Sequence, residues 1–334
     1  MRATISRIAR EAGVSTATVD RVLNGRDGVR DRTRQIVEQV ARDLGYYGLP
    51  TGEAKTARLD FVLPAGPNDF MADLRRHLFE EAQTLTGVEI NVHQIEGFDH
   101  DRLPERLRSL EGRTDAVGVV ALDHPKVREA INALAASGVH VGTLISDIPS
   151  TRKVGYVGID NRAAGRLAGL LMGRFVGGSE PKRVAVFIGS PAYRGHEERE
   201  MGFRSIMSED FPQIRIAHIA EVRDDRERAF EETRRLLAED RIDGIYNIGS
   251  GKRGIARALR AARRDQDTVF IAHDLTESTK PMLLDRTIDA VIDQNVRVEA
   301  REIVKLLLSS VRGSVEPEYM PRLQVIFREN IPTS

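Results

Sequence analysis

From Leu59 onward, short apolar runs recur with room for a helix between most of them: LDFVLP, VEINVHQI, DAVGVVAL, VHVGTLI, KVGYVGI, RVAVFIG, IRIAHIA, DGIYNI, TVFIAH and DAVID. The intervening segments, VREAINALAAS among them, carry helical periodicity. Strand and helix alternating at this period imply an α/β body built on parallel sheets with crossover helices. In such bodies ligands sit at the carboxyl ends of the strands, so the loops there are where binding chemistry is expected. One of those loops, GSGKRG (Gly249 to Gly254), has the G-x-G-x-x-G spacing between a strand and a helix, with Asp274 further on. That context suits a dinucleotide site. The fingerprint normally occupies the first βα turn of its domain, whereas here several βα units precede it, so a tight loop beside some cleft ligand is the favoured reading.

Other chemistries are thinly represented. The chain has no cysteine among its 334 residues, which excludes disulfides, thiolate metal sites and cysteine nucleophiles. His196-Glu197-Glu198 lacks the second histidine of a zinc motif, no G-x-S-x-G occurs, and the histidines are scattered. No catalytic residue, metal or cofactor is therefore expected. No apolar run approaches the roughly 18 residues of a membrane span, and MRATISRIAR lacks the apolar centre of an export signal, so a cytoplasmic protein without membrane contact is expected.

The first 58 residues differ in character. They hold eleven Lys+Arg against seven Asp+Glu, a net of +4 in a chain whose formal charge is zero, so the rest carries −4. Ile5, Ile8, Ala9 and Ala12 recur at helical spacing and Gly13 ends that run. Ser15 suits the N-cap of a second helix, on which Val19, Val22 and Leu23 share one side while Ala17, Arg21 and Asn24 fall opposite, flanked by Thr16 and Asp20. A third helix is expected from about Asp31, with Ile36, Val37, Val40, Ala41 and Leu44 as its buried stripe and Gly45 at its end. Short helices with a glycine in the first turn match both a small helical subdomain and the helix-turn-helix, whose second helix enters the major groove.

The residues decide further. TISRIAREAGVSTATVDRVLNGRDGVRDRTRQIVEQVARDLGY closely resembles the DNA-binding head of the lactose-repressor (LacI/GalR) family of bacterial transcription regulators, through Thr4, Ile5, Ile8, Ala9, Ala12, Gly13, Val14, Ser15, Thr18, Val19, Arg21, Val22, Leu23, Asn24, Thr33, Val40, Leu44, Gly45 and Tyr46. The resemblance implies base reading by Thr16, Ala17 and Arg21, backbone holding by Ser15, Thr18 and Asn24, and a further DNA contact by Thr4. Arginine can fork onto guanine O6 and N7, and an alanine methyl can meet a thymine methyl. Asp20 departs from the family, which usually has serine there. Phosphate would repel a carboxylate, so Asp20 is expected to orient Arg21 or to accept from a cytosine amino group. The family's A-R-x-L hinge helix, which pushes a leucine into the minor groove, is not matched. Gly48, Pro50 and Gly52 are poor helix formers, Lys55 stands where the leucine is expected, and Leu49 is the nearest apolar residue, so a flexible linker is expected.

Residues 59 to about 330 resemble the effector domain of the same regulators, which shares the type I fold of periplasmic sugar-binding proteins, two α/β lobes closing on a small molecule. The expected domains are residues 1–47, an all-α helix-turn-helix head; 48–58, a linker; and 59–334, a two-lobed periplasmic-binding-protein-like body for effector binding and dimerisation. The resemblance implies an effector site at strand ends: Asn68, Asp69 and Phe70 in the first cleft loop; Asp123 and His124; Ser146 and Asp147; Tyr193, His196 and Arg199; Asn247; Asp274; and Gln294. Planar amide, carboxylate and guanidinium groups give paired bonds to adjacent hydroxyls, and an aromatic ring covers a sugar's apolar face. Asp147 or Asp274 equally suits a helix cap, and Arg199 a surface ion pair. The function expected is a homodimeric regulator, a repressor, that binds double-stranded operator DNA under control of a sugar or polyol. A ligand receptor of sugar-binding type and a dinucleotide-dependent enzyme using GSGKRG are the other readings.

Overall fold

The computed structural model describes residues 4–23, 26, 28–44, 56–96, 98–314 and 319–332. Asn24, Gly45, Tyr46 and the linker residues Gly48, Leu49, Pro50, Gly52 and Lys55 lie outside them. The chain divides into two compact units, Met1–Thr56 and Ala57–Ser334.

The first unit consists of α1 (Ile5–Ala12), α2 (Thr16–Leu23) and α3 (Asp31–Asp43). Thr4 caps α1, its hydroxyl accepting from the Arg7 amide, and Gly13 ends it in the left-handed conformation at φ 66°, where its N–H bonds the Ala9 carbonyl. Ile8, Ala9, Val19, Val22, Val37 and Ala41 form the core. Ile36, expected in the buried stripe, is instead 45% exposed. Two short helices cover only a narrow strip of α3, and Val37 and Ala41, on the same face four residues apart, fill it.

The second unit begins with a βα series: β1 (Ala57–Ala65), α4 (Asp69–Thr84), β2 (Val88–Glu96), α5 (Arg102–Ser109), β3 (Ala116–Val119), α6 (Pro125–Ala136), β4 (His140–Leu144) and β5 (Gly155–Val157). Its strands make a parallel sheet in the order β2-β1-β3-β4-β5. Crossing to a second lobe, the chain forms α7 (Asn161–Val176), β6 (Lys182–Ile188), α8 (Arg194–Asp210), β7 (Ile214–Glu221), α9 (Arg226–Glu239), β8 (Gly244–Asn247), α10 (Lys252–Ala261), β9 (Val269–His273), α11 (Thr279–Leu284) and β10 (Ala290–Asp293). It then returns: α12 (Val296–Val311) buries Ala300, Ile303, Val304 and Leu307 in the core of the first lobe. After a bridge from Tyr319 to Val157, β11 (Gln324–Ile326) adds antiparallel to β10. The second sheet reads β11-β10-β9-β8-β6-β7, with separate apolar clusters on its two faces. The lobes are thus connected near Val157, Asp293 and Tyr319, and the carboxyl ends of both sheets supply the loops of the cleft between them.

Candidate functional site

In the head, the second helix presents the surface its periodicity requires. Thr16, Ala17 and Arg21 are exposed, whereas Val19 and Val22 on the opposite side are buried. The Ser15 hydroxyl accepts from the Thr18 amide at 3.1 Å and shares a hydrogen bond with the Thr18 hydroxyl at 2.9 Å, so both residues fix the start of α2. Asp20 accepts from Arg26 at 3.3 Å. An exposed helix carrying small side chains and one forked cation at successive turns can lie in a major groove and read base edges.

The cleft of the body is closed. Its walls leave about 40 Å³ of free space, well below the roughly 300 Å³ of an open small-molecule pocket. The lobes bond directly across it: Asn68 Nδ2 donates to Asp224 Oδ2 at 3.1 Å, Ser278 Oγ to Asp69 Oδ2 at 2.5 Å, and the Gly195 amide to Ser146 Oγ at 3.3 Å. Asn68 also caps α4, which fixes its amide at the mouth of the first lobe. Phe70, Ser146, Tyr193, His196, Arg199, Asp274 and Gln294 line the cleft with Asn68.

Arg199 is no surface partner, being only 4% exposed. Helices α7 and α8 approach so closely that a Cβ on Gly165 would lie 1.9 Å from the Arg199 carbonyl, and one on Gly202 2.1 Å from the Arg162 carbonyl. This contact seats the guanidinium at the cleft floor, where it donates to Asn161 Oδ1 (2.8 Å) and the Ile248 carbonyl (3.1 Å). Asn161 in turn donates to the Tyr156 hydroxyl (3.4 Å), which donates to the Ile145 carbonyl (3.1 Å). Hydrogen bonds therefore run from the second lobe, through the first crossing, to the first lobe. Asp274 sits at φ 67° at the end of β9 and accepts from Gln294 Nε2 at 2.6 Å. Gln294 Oε1 is buried with no partner among the described residues. Burial pushes the His196 imidazole below its ordinary pKa, and the nearby Arg199 cation adds to this while Asp224 opposes it.

Five expected residues do not line the cleft: Asp69, Asp123, His124, Asp147 and Asn247. Asp123 pairs with Arg128 at 2.8 Å, and His124 caps α6 and packs on His100. At the end of β4 the backbone turns left-handed at Ile145 (φ 66°); Ile145 and Ser146 line the cleft, while Asp147 accepts from Thr143 (2.6 Å) and Lys153 (2.5 Å). Asn247 is fully buried and donates to the Ser250 carbonyl, bracing the glycine loop. Asp69 acts across the mouth through Ser278. In the GSGKRG loop, the Lys252 ammonium is buried on the His273 carbonyl at 2.7 Å, so this lysine holds β9 rather than facing the cleft.

Asp224 is the residue sequence reasoning missed. It follows β7 in VRDD with φ 56°, receives the Ser250 amide at 2.8 Å on one oxygen and Asn68 on the other, and so joins the lobes. An acid just beyond the strand IRIAHIA was the available signal.

Known proteins match both units. Residues 4–48 fit the model described as bacterial regulatory proteins, lacI family, and residues 59–314 the periplasmic binding protein domain. Catabolite control protein A of Priestia megaterium is 28% identical over 256 residues, covering 75% of this chain and 74% of that protein. The HTH-type transcriptional regulator CelR of Thermobifida fusca is 25% identical over 345 residues, covering 95% and 94%. Among solved structures, the glucose-galactose binding protein GanP of Geobacillus stearothermophilus superposes with a TM-score of 0.76 at 24% identity, covering 83% of this chain and 99% of that one. A Burkholderia graminis solute-binding protein in complex with D-arabinose gives 0.78 at 20% identity, covering 85% and 99%; these two likenesses carry the fold. With a lacI-type head on a two-lobed periplasmic-binding-protein body, the chain belongs to the lacI family of bacterial regulatory proteins and is a DNA-binding transcription regulator.

Proposed function

We propose that this regulator is a homodimeric repressor, acting in the cytoplasm on a two-fold operator, whose grip on DNA is set by a sugar or polyol held between the lobes. The observation that carries the effector class is the polar inventory of the cleft. Asn68, Asp224, Asp274, Gln294 and Arg199 converge from both lobes beside the Phe70 ring. Amide, carboxylate and guanidinium groups are the partners of vicinal hydroxyls, and the aromatic ring suits the C–H face of a sugar. Solved relatives of the same fold hold D-arabinose, D-fucose, D-allose and myo-inositol. Head, linker and body are assigned to residues 1–47, 48–58 and 59–334; Thr16, Ala17 and Arg21 are assigned to bases, Asp20 to a base or to orienting Arg21, Ser15, Thr18 and Asn24 to the DNA backbone, and Thr4 to a further DNA contact. Operator symmetry follows from the two-fold symmetry of a dimer.

The effector acts through the direct interlobe bonds. A molecule entering the cleft must replace Asn68–Asp224 with contacts of its own, and it shifts the regulator only by favouring one lobe arrangement over the other. A thermal-shift screen of monosaccharides, polyols, sugar phosphates and purines tests this, because a ligand bound to the fold raises its melting temperature by mass action. Stabilisation by a neutral sugar or polyol, lost in Arg199→Ala while effector-free operator affinity stays within about a few-fold, is the expected result. Stabilisation by purines alone, or an effector response unchanged in Arg199→Ala, would remove the assignment.

A further inference from the structure

Outside the closed cleft lies a second space of about 290 Å³. It shares Pro64, Asn68, Tyr193 and Asp224 with the inner one, so the hydrogen bond from Asn68 to Asp224 is the partition between the two. Breaking it merges them into one site, larger than the inner space alone.

The outer space has its own binding chemistry. Phe98, from the segment after β2, stands edge-on to Tyr193 with ring centroids 5.4 Å apart, and the Arg223 guanidinium lies 5.6 Å from the Phe98 centroid. Arg223 and Arg228 line this space, Arg223 against the Phe98 ring. The Asp225 carboxylate is occupied by the Glu227 and Arg228 amides, and Asp224 by Asn68 and Ser250. Two arginines against two aspartates leave the space without excess charge, which favours a neutral occupant. Phe98, Arg223 and Asp224 are held at φ 68°, 51° and 56° around this one opening. Side chains in that backbone region persist only where the surroundings hold them, and they gather at ligand sites.

We propose that the outer space is a second sugar subsite, so that the effector is a disaccharide or other neutral glycoside with one ring in the inner cleft and the next stacked on Phe98. The inference rests on the sugar reading of the inner cleft. The exposed Arg223 contact with Phe98 is readily displaced by a sugar ring. Arg223 and Arg228 then donate to its hydroxyls.

The test is calorimetric titration of the full chain with matched ligands: glucose, galactose, xylose and arabinose, each beside its disaccharides, its aryl glycosides and its phosphate ester. At least one neutral glycoside is expected to bind about tenfold or more tighter than its parent monosaccharide. Phe98→Ala should erase that gain and leave the monosaccharide affinity within about threefold. Phe98→Leu, which keeps apolar packing beside Tyr193 but loses the aromatic face, should do the same and guards against misfolding. Monosaccharides binding as tightly as every glycoside, or a gain confined to phosphate esters, would overturn the second subsite and leave the inner reading standing. So would a glycoside gain that survives both substitutions. Failure of every saccharide to bind would overturn the sugar reading together with it.

Discussion

At the scale of single residues, chemistry separates what reads from what holds. Arg21 is exposed on α2 with nothing assigned to it but a base edge. Arg21→Ala is expected to lose about 1–3 kcal/mol of discrimination at one base pair per half-site, visible in a binding-site selection as relaxed preference at that position. Asp20 is tied to Arg26 rather than held by burial; at 43% and 63% side-chain exposure that pair is weak and can reorganise on DNA. Asp20→Ser should therefore change which operators are preferred. A uniform tightening on all DNA would mean that the acid merely repels phosphate. In the body, Glu299 is fully buried on α12, and neither carboxylate oxygen has a partner among the described residues. Burial raises its pKa well above 4.5, reinforced by the Asp274 charge and opposed by Arg199. The folded state therefore keeps a proton that the unfolded state has released, and stability falls as pH rises from about 4.5 toward the raised value. His273 behaves oppositely: burial and the Arg199 charge hold it neutral, so stability falls as pH drops below its ordinary 6.5. Glu299→Gln removes the alkaline loss alone. Its melting temperature should exceed that of the parent at pH 8 and converge on it near pH 4.5, and a constant difference across that range would contradict the linkage.

Among the elements, α7 and α8 set the cleft floor. Their contact through Gly165 and Gly202 is closer than any side chain allows, and Arg199 and Asn161 lie on the two helices that meet there. A methyl at Gly202 would stand 2.1 Å from the Arg162 carbonyl and 3.0 Å from the Arg166 amide, both backbone atoms with little freedom to yield. Helix propensity favours alanine over glycine by about 1 kcal/mol, but overpacking costs about 1–3 kcal/mol and forces the helices apart. Gly202→Ala is accordingly expected to lower the melting temperature and weaken effector binding together. A rise in stability from the propensity gain would show that the helix pair can slide without penalty.

For the body as a whole, the question is what holds the lobes shut. The connections near Val157, Asp293 and Tyr319 are shared by every arrangement of the lobes, so closure depends on the contacts across the mouth. A hydrogen bond to a charged carboxylate is worth about 1.5–3 kcal/mol, so losing Asn68–Asp224 shifts an open–closed equilibrium by about ten- to a hundredfold. The absence of native cysteine allows one label in each lobe, for instance at Gln83 and Glu231. Asn68→Ala should lengthen and broaden the distance distribution between them. An unchanged distribution would assign closure to the remaining contacts, Asp69–Ser278 first among them.

The amino-acid order alone determined the repeating βα body, the helical head and the faces of its helices, because periodicity and caps act within a few residues. Gly13, Ser15, Val19 and Val22 took their places for such local reasons, and the dense head motif carried the family with it. Ile36 escaped because burial depends on how wide a strip the neighbouring helices cover. The cleft was legible only as a set of strand ends. Whether a polar residue there turns inward is settled by backbone direction and by competing partners many residues away. The left-handed turn at Ile145 puts Ser146 in the cleft and leaves Asp147 to Thr143 and Lys153. Asp224 becomes a cross-lobe partner because Asn68 arrives from 156 positions earlier. Such pairings depend on tertiary packing that no local pattern encodes, which is why the sequence determined the two units and the structure decided which side chains meet between the lobes.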